Sequence, residues 1–595
     1  MPASPQLDAD GVLTVRITAG GKDLPELVQL ISLSVHRAAN TIPWARLEFA
    51  DGDMATQKFE VADDALLVPG TEIEVHLGYA ANTQLVYQGL VMRFGMRITG
   101  HNDSRLVIEC RDKATRMAVD RRNAVYTKLT DSDLMTKLAS KHGLEADIEA
   151  TSGEHGELVQ HHCSDWDFLL ARAEANGRVV LVHDGKLSVV APKTAAAPKL
   201  TLSYGQDIMA FHADMDARTQ LSDVQAVSWD PRTQALVQAH AAINDLVPQG
   251  DLRAAALAQV VHEDAYRLQT NARQTQAALD TWAAAQQVKA ALARVRGRVS
   301  FQGSALAKVG DMIELKGVGQ RFNGKVFVGG LNHEVSDGNW ITEAEFGLAP
   351  QWFTERPDVI APHAAGLMPG VRGLHIGVVR ALGEDPAGEH RVHVALPLMG
   401  DSENTVWARL AGFHASRNFG AFFVPEIGDE VVLGFLHDDP GHPVVLGSLY
   451  SSSRQPPYTL ADENNTKAIV TRCLSKIEFN EEDKVITITT PGNNKMVFDD
   501  KDKSILVSDQ NGNTVKLSTD GIKMDSPKDI VIQAKGSITI DAVGPLSMKS
   551  KADASTQALN VNCEAQVGFT AKGTASAELS AAGQTTVKGA IVMIN

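Results

Sequence analysis

Apolar and polar positions alternate over short stretches in the first hundred residues. Leu13, Val15 and Ile17 are separated by Thr14 and Arg16; Ile73, Val75 and Leu77 by Glu74 and His76; and Leu106 and Ile108 recur one residue apart. A period of two is the pattern of half-buried strands, and the Gly- and Asp-rich intervals between these runs are turn signals. Residues 1–110 therefore read as a first β-domain. The pattern then changes to helical over 131–142 and 164–177, each stretch opened by Asp and Ser residues suited to capping and followed by Gly143 or Gly177. These two stretches place an α/β insert at 111–250.

Residues 251–293 are rich in Ala, Gln, Leu and Arg, which predicts one or two helices. A second β-domain with strands broken at glycine turns follows, so that 251–353 reads as helix plus sheet. The prolines Pro357, Pro362 and Pro369 mark 354–370 as a linker. Next comes a module at 371–452 with five strands expected at 374–381, 391–398, 406–412, 430–435 and 444–450. Five short strands in about eighty residues suit a closed barrel of the OB type. Residues 453–475 read as a connector.

From 476 to 595 the chain repeats. Ile522 and Met524, Ile530 and Ile532, Ile538 and Ile540, and Leu546 and Met548 form apolar doublets spaced eight residues apart. Looser doublets precede them from Ile477 and Phe479 onward. Each unit holds one short strand and a turn, and offers only two inward apolar side chains. Three chains wound about one axis can close a core from that allotment, whereas one chain cannot, so the pattern predicts an intertwined homotrimeric β-helix. About 15 units at roughly 4.8 Å each would make a needle on the order of 70 Å long. Beyond 550 the inward candidates shrink to Ala, Ser and Thr, and the chain ends on the apolar run Ile591, Val592, Met593, Ile594 and Asn595. Such an end is expected to hold a cap.

Composition sets limits on function. Lys and Arg number 56 against 72 Asp and Glu, a formal net charge of −16, which carries no footprint for nucleic acid or an anionic membrane. Cys110, Cys163, Cys473 and Cys563 lie without framework spacing, as in reduced thiols of a protein folded in the cytoplasm. The N-terminus lacks the features of a secretory signal, so export is expected to depend on an assembled machine.

No constellation for catalysis emerges, and neither a catalytic site nor a cofactor or metal is expected. Gly317-Val-Gly-Gln-Arg-Phe322 departs from a nucleotide-binding loop at its last position and lacks a βαβ context, which leaves a turn. His161, His162 and Cys163 are consecutive and cannot converge on one metal. His262 and Glu263 lack the second histidine of a zinc-protease helix. The pairs Glu384/Asp385 and Asp438/Asp439 sit beside Pro/Gly turns, where solvated acids are ordinary. The basic run from Arg294 to Arg298 is short and suits a helix end.

The run from Val424 to Tyr450 resembles the signature of VgrG-type spike proteins of type VI secretion and phage-tail-like injection systems. Gly428, Asp429 and Glu430 stand at the start of one barrel strand, and Pro443 and Gly447 lie on the next. Residues 165–177 and 310–334 are similar to the tail-hub part of the same proteins. The resemblance implies a mainly β, multidomain chain with two hub tube domains carrying α/β inserts, an OB-fold barrel and a trimeric needle. It implies a central spike that pierces a target envelope and adapts a threefold needle to a sixfold tube. Its expected partners are two further copies of itself, a PAAR-like tip protein, inner-tube and baseplate proteins, effectors, and transiently the target membrane. Neither a lysozyme-like domain nor an effector domain is recognisable in the sequence, which counts against an enzyme. An envelope-degrading or glycan-binding tail spike is the alternative reading.

Overall fold

In a computed structural model, residues 4–5, 11–80, 82–100, 103–230, 233–261, 264–270, 274–356, 363–367, 369–399 and 405–594 are described. The alternating runs of the N-terminal unit, residues 1–449, build a sheet of 13 strands. Its long path runs Ile208–Met215, Val295–Gln302, Asn339–Phe346, Gly324–Ser336, Leu30–Ala38, Trp44–Ala50, Asp103–Arg111, Asn82–Thr99, Glu72–Tyr79, Leu13–Ala19 and Lys22–Asp23.

The two expected β-domains meet in this sheet. Gly324–Ser336 pairs antiparallel with Leu30–Ala38, placing Val335 opposite Leu33 and Leu331 opposite Arg37. Each half nevertheless buries its own core. Leu33, Leu47, Phe49, Ile73, Val75, Tyr87 and Ile108 fill one, and Leu202, Phe301, Leu315, Phe327 and Phe346 the other. Strands Thr201–Ser203 and Ile208–Met215 arise from the stretch expected as an insert, yet they join the second half. Leu200 and Leu202 are fully buried against it, which ties the end of the insert to the sheet.

The insert's two helices form where the caps predict. Asp131–Lys141 starts at Thr130, whose side chain and that of Asp133 bond reciprocally to the first turn. Asp165–Ala175 starts at Ser164, whose hydroxyl accepts from the Asp167 amide at 3.1 Å. That second helix ends at Gly177, with φ of +62°, where a Cβ would lie 3.0 Å from the backbone of Ala285. A side chain there would push two helices apart.

Residues 251–293 depart from a purely helical reading. Helices Ala254–Ala258 and Gln276–Ala293 are separated by a strand, Tyr266–Thr270, which pairs parallel with Asp223–Asp230. Tyr266 and Thr270 favour extended backbone, and a five-residue ladder to a neighbouring strand outweighs the helical propensity of the flanking alanines.

The barrel closes through five strands in the order His375–Ala381, Val392–Ala395, Thr405–Leu410, Pro443–Ser448 and Glu430–Phe435. Val379, Val394, Ala408, Val431, Leu433 and Val445 point inward and are fully or almost fully buried. The second unit, residues 450–595, opens with an antiparallel meander of seven five-residue strands, Thr466–Val470, Lys476–Asn480, Val485–Thr489, Lys495–Asp499, Ser504–Ser508, Thr514–Ser518 and Gly521–Asp525. Its first strand falls within the stretch expected as a connector.

Candidate self-association face and tip

Strand pairing in the meander lines its apolar side chains up in two ladders. One runs Ile469, Ile477, Ile488, Met496, Val507, Val515 and Met524, each opposite the next. The other runs Phe479, Ile486, Phe498, Ile505, Leu517 and Ile522. Both lie on one face because side chains alternate along each strand. That face is bare in a single chain: Ile477, Phe479, Ile486, Ile488, Phe498 and Leu517 all leave more than a third of their surface uncovered.

The opposite face is mixed, with Glu478, Thr487, Lys516 and Lys523 in one ladder with Ala468, Val497 and Leu506, and it is partly tied down. The Lys476 ammonium donates to Glu478 at 2.7 Å, the Tyr458 hydroxyl donates to the same carboxylate at 2.5 Å, and Lys501 pairs with Asp483 at 2.7 Å. A sheet that lays a continuous apolar face open to water is the signature of a layer that packs on something else.

The predicted octad doublets fall into two groups. Ile522 and Met524 sit on the last meander strand, opposite Leu517 and Val515. Ile530, Ile532, Ile538, Ile540, Leu546 and Met548 follow it, in a stretch where no strand forms within the chain among the described residues. All six are more than half exposed. The tip residues Ile591, Met593 and Ile594 are almost fully exposed and Val592 is half exposed; Asn595 lies outside the described residues.

The barrel signature residues shape the wall of the barrel. Gly428 has φ of +87°, and its amide donates to the Val379 carbonyl at 2.8 Å. The Asp429 carboxylate accepts from the Glu426 amide at 2.8 Å, and the Glu430 carbonyl accepts from the Leu449 amide at 2.9 Å. Pro443 stands opposite Phe435, and Gly447 opposite Val432. These positions fix a tight turn and the two strands it feeds.

Polar chemistry concentrates instead in the insert, at residues the sequence did not single out. Asp131 accepts from Arg172 at 2.7 and 2.8 Å, from Asn176 at 2.8 Å, and pairs with His155 at 3.2 Å. Burial pulls its carboxyl upward, but the bonds from Arg172 and its charge outweigh that and hold it below the usual range. Asp165, fully buried, accepts from Gln160 at 2.9 Å and pairs with Arg122 at 2.9 Å and His142 at 2.8 Å. Buried Lys289 donates to Glu174 at 2.7 Å and Glu355 at 2.8 Å. Each charge is saturated by partners, which suits structural clamps. A cleft of about 550 Å³ beside Asp131 is walled by Glu154, His155, Arg172, Gln274 and Trp282. Their burial and long-range pairing have no signature in local sequence.

The remaining sequence candidates are separated or engaged. His161, His162 and Cys163 lie in the strand His155–Ser164, at a register shift between Gln160 and Cys163. No group of three His, Cys, Asp or Glu suited to a metal occurs among the described residues. Asp385 binds Arg391 at 2.6 Å, Asp438 binds His363 at 2.6 Å and Asp439 binds His442 at 3.1 Å. Gly317 and Gly319 both have positive φ, as a turn requires. Arg294 caps the long helix and is buried, its guanidinium donating to the carbonyls of Val247 at 2.5 Å, Gln249 at 2.8 Å and Leu252. His262, Glu263 and the linker positions 357–362 and 368 lie outside the described residues. All four cysteines are unpaired. Among the described residues no helix is long and apolar enough to cross a membrane.

Comparison with known proteins gives two family matches. Residues 9–337, more than half of the chain, match the family described as the Alg8 N-terminal domain. Residues 375–450, the barrel, match the type VI secretion system/phage-baseplate injector OB domain. Among curated proteins, the chain is 31% identical over 130 residues to the type VI secretion system spike protein VgrG1c of Pseudomonas aeruginosa, covering 20% of this chain and 18% of the relative. It is 27% identical over 159 residues to the actin cross-linking toxin VgrG1 of Vibrio cholerae, covering 25% of this chain and 14% of that protein. The matches thus span less than a fifth of these relatives' own lengths. Among solved structures, a tail protein of Neisseria meningitidis is 15% identical with a TM-score of 0.43, covering 58% of this chain and 99% of that one. By its first half the chain belongs to the Alg8 N-terminal domain family, and in its barrel and in shorter stretches it is similar to the injector OB domain and to VgrG proteins.

Proposed function

We propose that three copies of this chain form the central spike of a contractile injection machine and that its work is mechanical rather than catalytic. The bare apolar face of the seven-stranded meander carries the reading. Three such sheets, one from each copy, would bury their ladders against one another as the walls of a triangular prism, with their opposite faces, which carry Lys476, Glu478, Lys516 and Lys523, turned outward. Beyond Asp525 the doublets lack strand partners within the chain, so pairing there would run between chains and wind the three copies together.

In this reading the N-terminal sheet joins the inner tube and baseplate proteins, and the apolar end at Ile591–Ile594 seats a PAAR-like cap. Effectors would travel with the particle, and the target membrane would be met only during penetration. Assembly would take place in the cytoplasm, with release as part of the particle. Light scattering at micromolar concentration tests the core of the proposal. The expected mass is that of three chains, and a stable monomer would refute it.

A further inference from the structure

Lys289 lies on the long helix Gln276–Ala293 with only 4% of its side chain exposed. Its ammonium stands between two carboxylates, donating to Glu174 at 2.7 Å and to Glu355 at 2.8 Å. Glu174 comes from the helix Asp165–Ala175 and its side chain is 9% exposed, whereas that of Glu355, at the start of the linker, is 40% exposed. The buried ring of Trp352 covers the amine at 5.8 Å, and its indole nitrogen has no hydrogen-bond partner. An aromatic wall thus keeps water from one side of the amine.

A buried ion pair needs one counter-charge, but this ammonium faces two, so the cluster holds a surplus negative charge at the edge of the core, at a cost in desolvation. The Glu174 carboxylate is also fixed at its other oxygen, Oε2, which accepts from the Thr354 amide at 2.9 Å. The helices that carry Glu174 and Lys289 touch closely, since a Cβ on Gly177 would lie 3.0 Å from the Ala285 backbone. Packing of the backbone therefore holds amine and carboxyl in contact, the arrangement in which a reaction between two groups gains most from proximity.

We propose that Lys289 and Glu174 condense into an amide within the folded chain, with Glu355 as the proton relay. The Glu355 carboxylate takes a proton from the ammonium and passes it to Oε1 of Glu174, which leaves a neutral amine beside a neutral acid, the forms that burial favours. The amine nitrogen attacks the Glu174 carboxyl carbon after a small turn of the carboxyl about its last, soft torsion. Negative charge develops on Oε2, where the Thr354 amide is already placed to receive it. Glu355 then takes a second proton from the nitrogen and hands it to the departing Oε1 as the carbon–Oε1 bond breaks. One ammonium and one carboxylate become one amide and one water, and Glu355 ends as the carboxylate it began as. The product exchanges a buried ion pair for a neutral link. It also ties the insert to the helix that leads into the strand Val295–Gln302 of the large sheet, a covalent tie in a protein read above as working under load.

Mass spectrometry of the full chain, unfolded so that only covalent bonds count, tests the link without reference to oligomeric state. The expected mass is one water below that of the sequence. Trypsin does not cut at an acylated lysine, so residues 173–178 and 274–294 are expected as one branched peptide. Lys289→Arg keeps the charge without the nucleophilic amine and is expected to show its full sequence mass. Glu355→Gln is expected to be recovered unlinked, with the bond appearing only on long incubation. A parent chain of full sequence mass that trypsin cuts at Lys289 overturns the amide and leaves the ion pairs alone. Loss of water without the branched peptide places the loss elsewhere and overturns it too. A branch from Lys289 to Glu355, or a bond formed as completely in Glu355→Gln as in the parent, overturns the roles given to the two glutamates.

Discussion

Ile488 and Met496 stand directly opposite each other on neighbouring strands of the C-terminal meander, at a position where the single chain leaves 40% and 36% of them exposed. Their neighbours on both sides of the ladder are equally bare, so the exposure belongs to the whole face.

Replacing Ile488 with Asp puts a carboxylate in the middle of that face. In the trimer three such charges would share one dry layer, at a cost of several kcal/mol per trimer. Light scattering is expected to show one-chain mass for Ile488→Asp at concentrations where the parent is trimeric. The same substitution at Thr487, on the opposite face, is expected to leave the mass unchanged. Ile538→Asp probes the stretch without intrachain strands, and retention of full thermal stability there would count against an inward position.

Truncation after Gly544 removes Leu546, Met548 and the apolar end but keeps the meander ladders. The shortened chain is expected to remain trimeric and to lose its cap in co-purification. A truncated protein that still retained the cap would move the cap site away from Ile591–Ile594.

Arg172→Ala leaves the buried Asp131 carboxylate without its two strongest donors, and the expected loss is about 3–5 kcal/mol. The Asp131 carboxyl is held below its ordinary range in the fold, so its contribution is present above the unfolded value and is lost as pH falls through the folded one. The difference in melting temperature between the parent and Asp131→Asn is therefore expected to be largest near neutrality. It should shrink below about pH 4, close to the ordinary Asp value.

His333 and His183 give a second pH dependence. Burial, followed by the Arg37 charge, pushes His333 down to about 3 and His183 down to about 4. Both stay neutral in the fold while the unfolded chain takes up protons near its ordinary value of about 6.5. Stability is thus expected to fall as pH drops below that value, by up to about 1.4 kcal/mol per pH unit for each fully shifted histidine. Denaturant melts between pH 7 and 5 are expected to show a shallower slope for His333→Gln, and an unchanged slope would exclude this source.

Much of the fold was legible in local patterning. The five barrel strands, the capped helices of the insert and the repeating doublets of the C-terminal stretch each announce themselves through side-chain period and turn residues. The strand Tyr266–Thr270 was not, because an alanine-rich neighbourhood hides a short ladder to a partner about forty residues away. Nor were the clamps around Asp131, Asp165 and Lys289, whose partners come from different elements.

The sequence by itself determined which side chains alternate, where the turns fall and that each C-terminal unit carries two apolar positions, since these follow from period and composition. Only the tertiary structure decided how that stretch divides. Residues 466–525 pair with themselves and lay their apolar side chains on one face, while 526–594 form no strand within the chain. The physical reason is strand pairing: a hairpin long enough to bond its own neighbour satisfies its backbone locally, and a turn-rich stretch of single doublets finds no such neighbour within the chain.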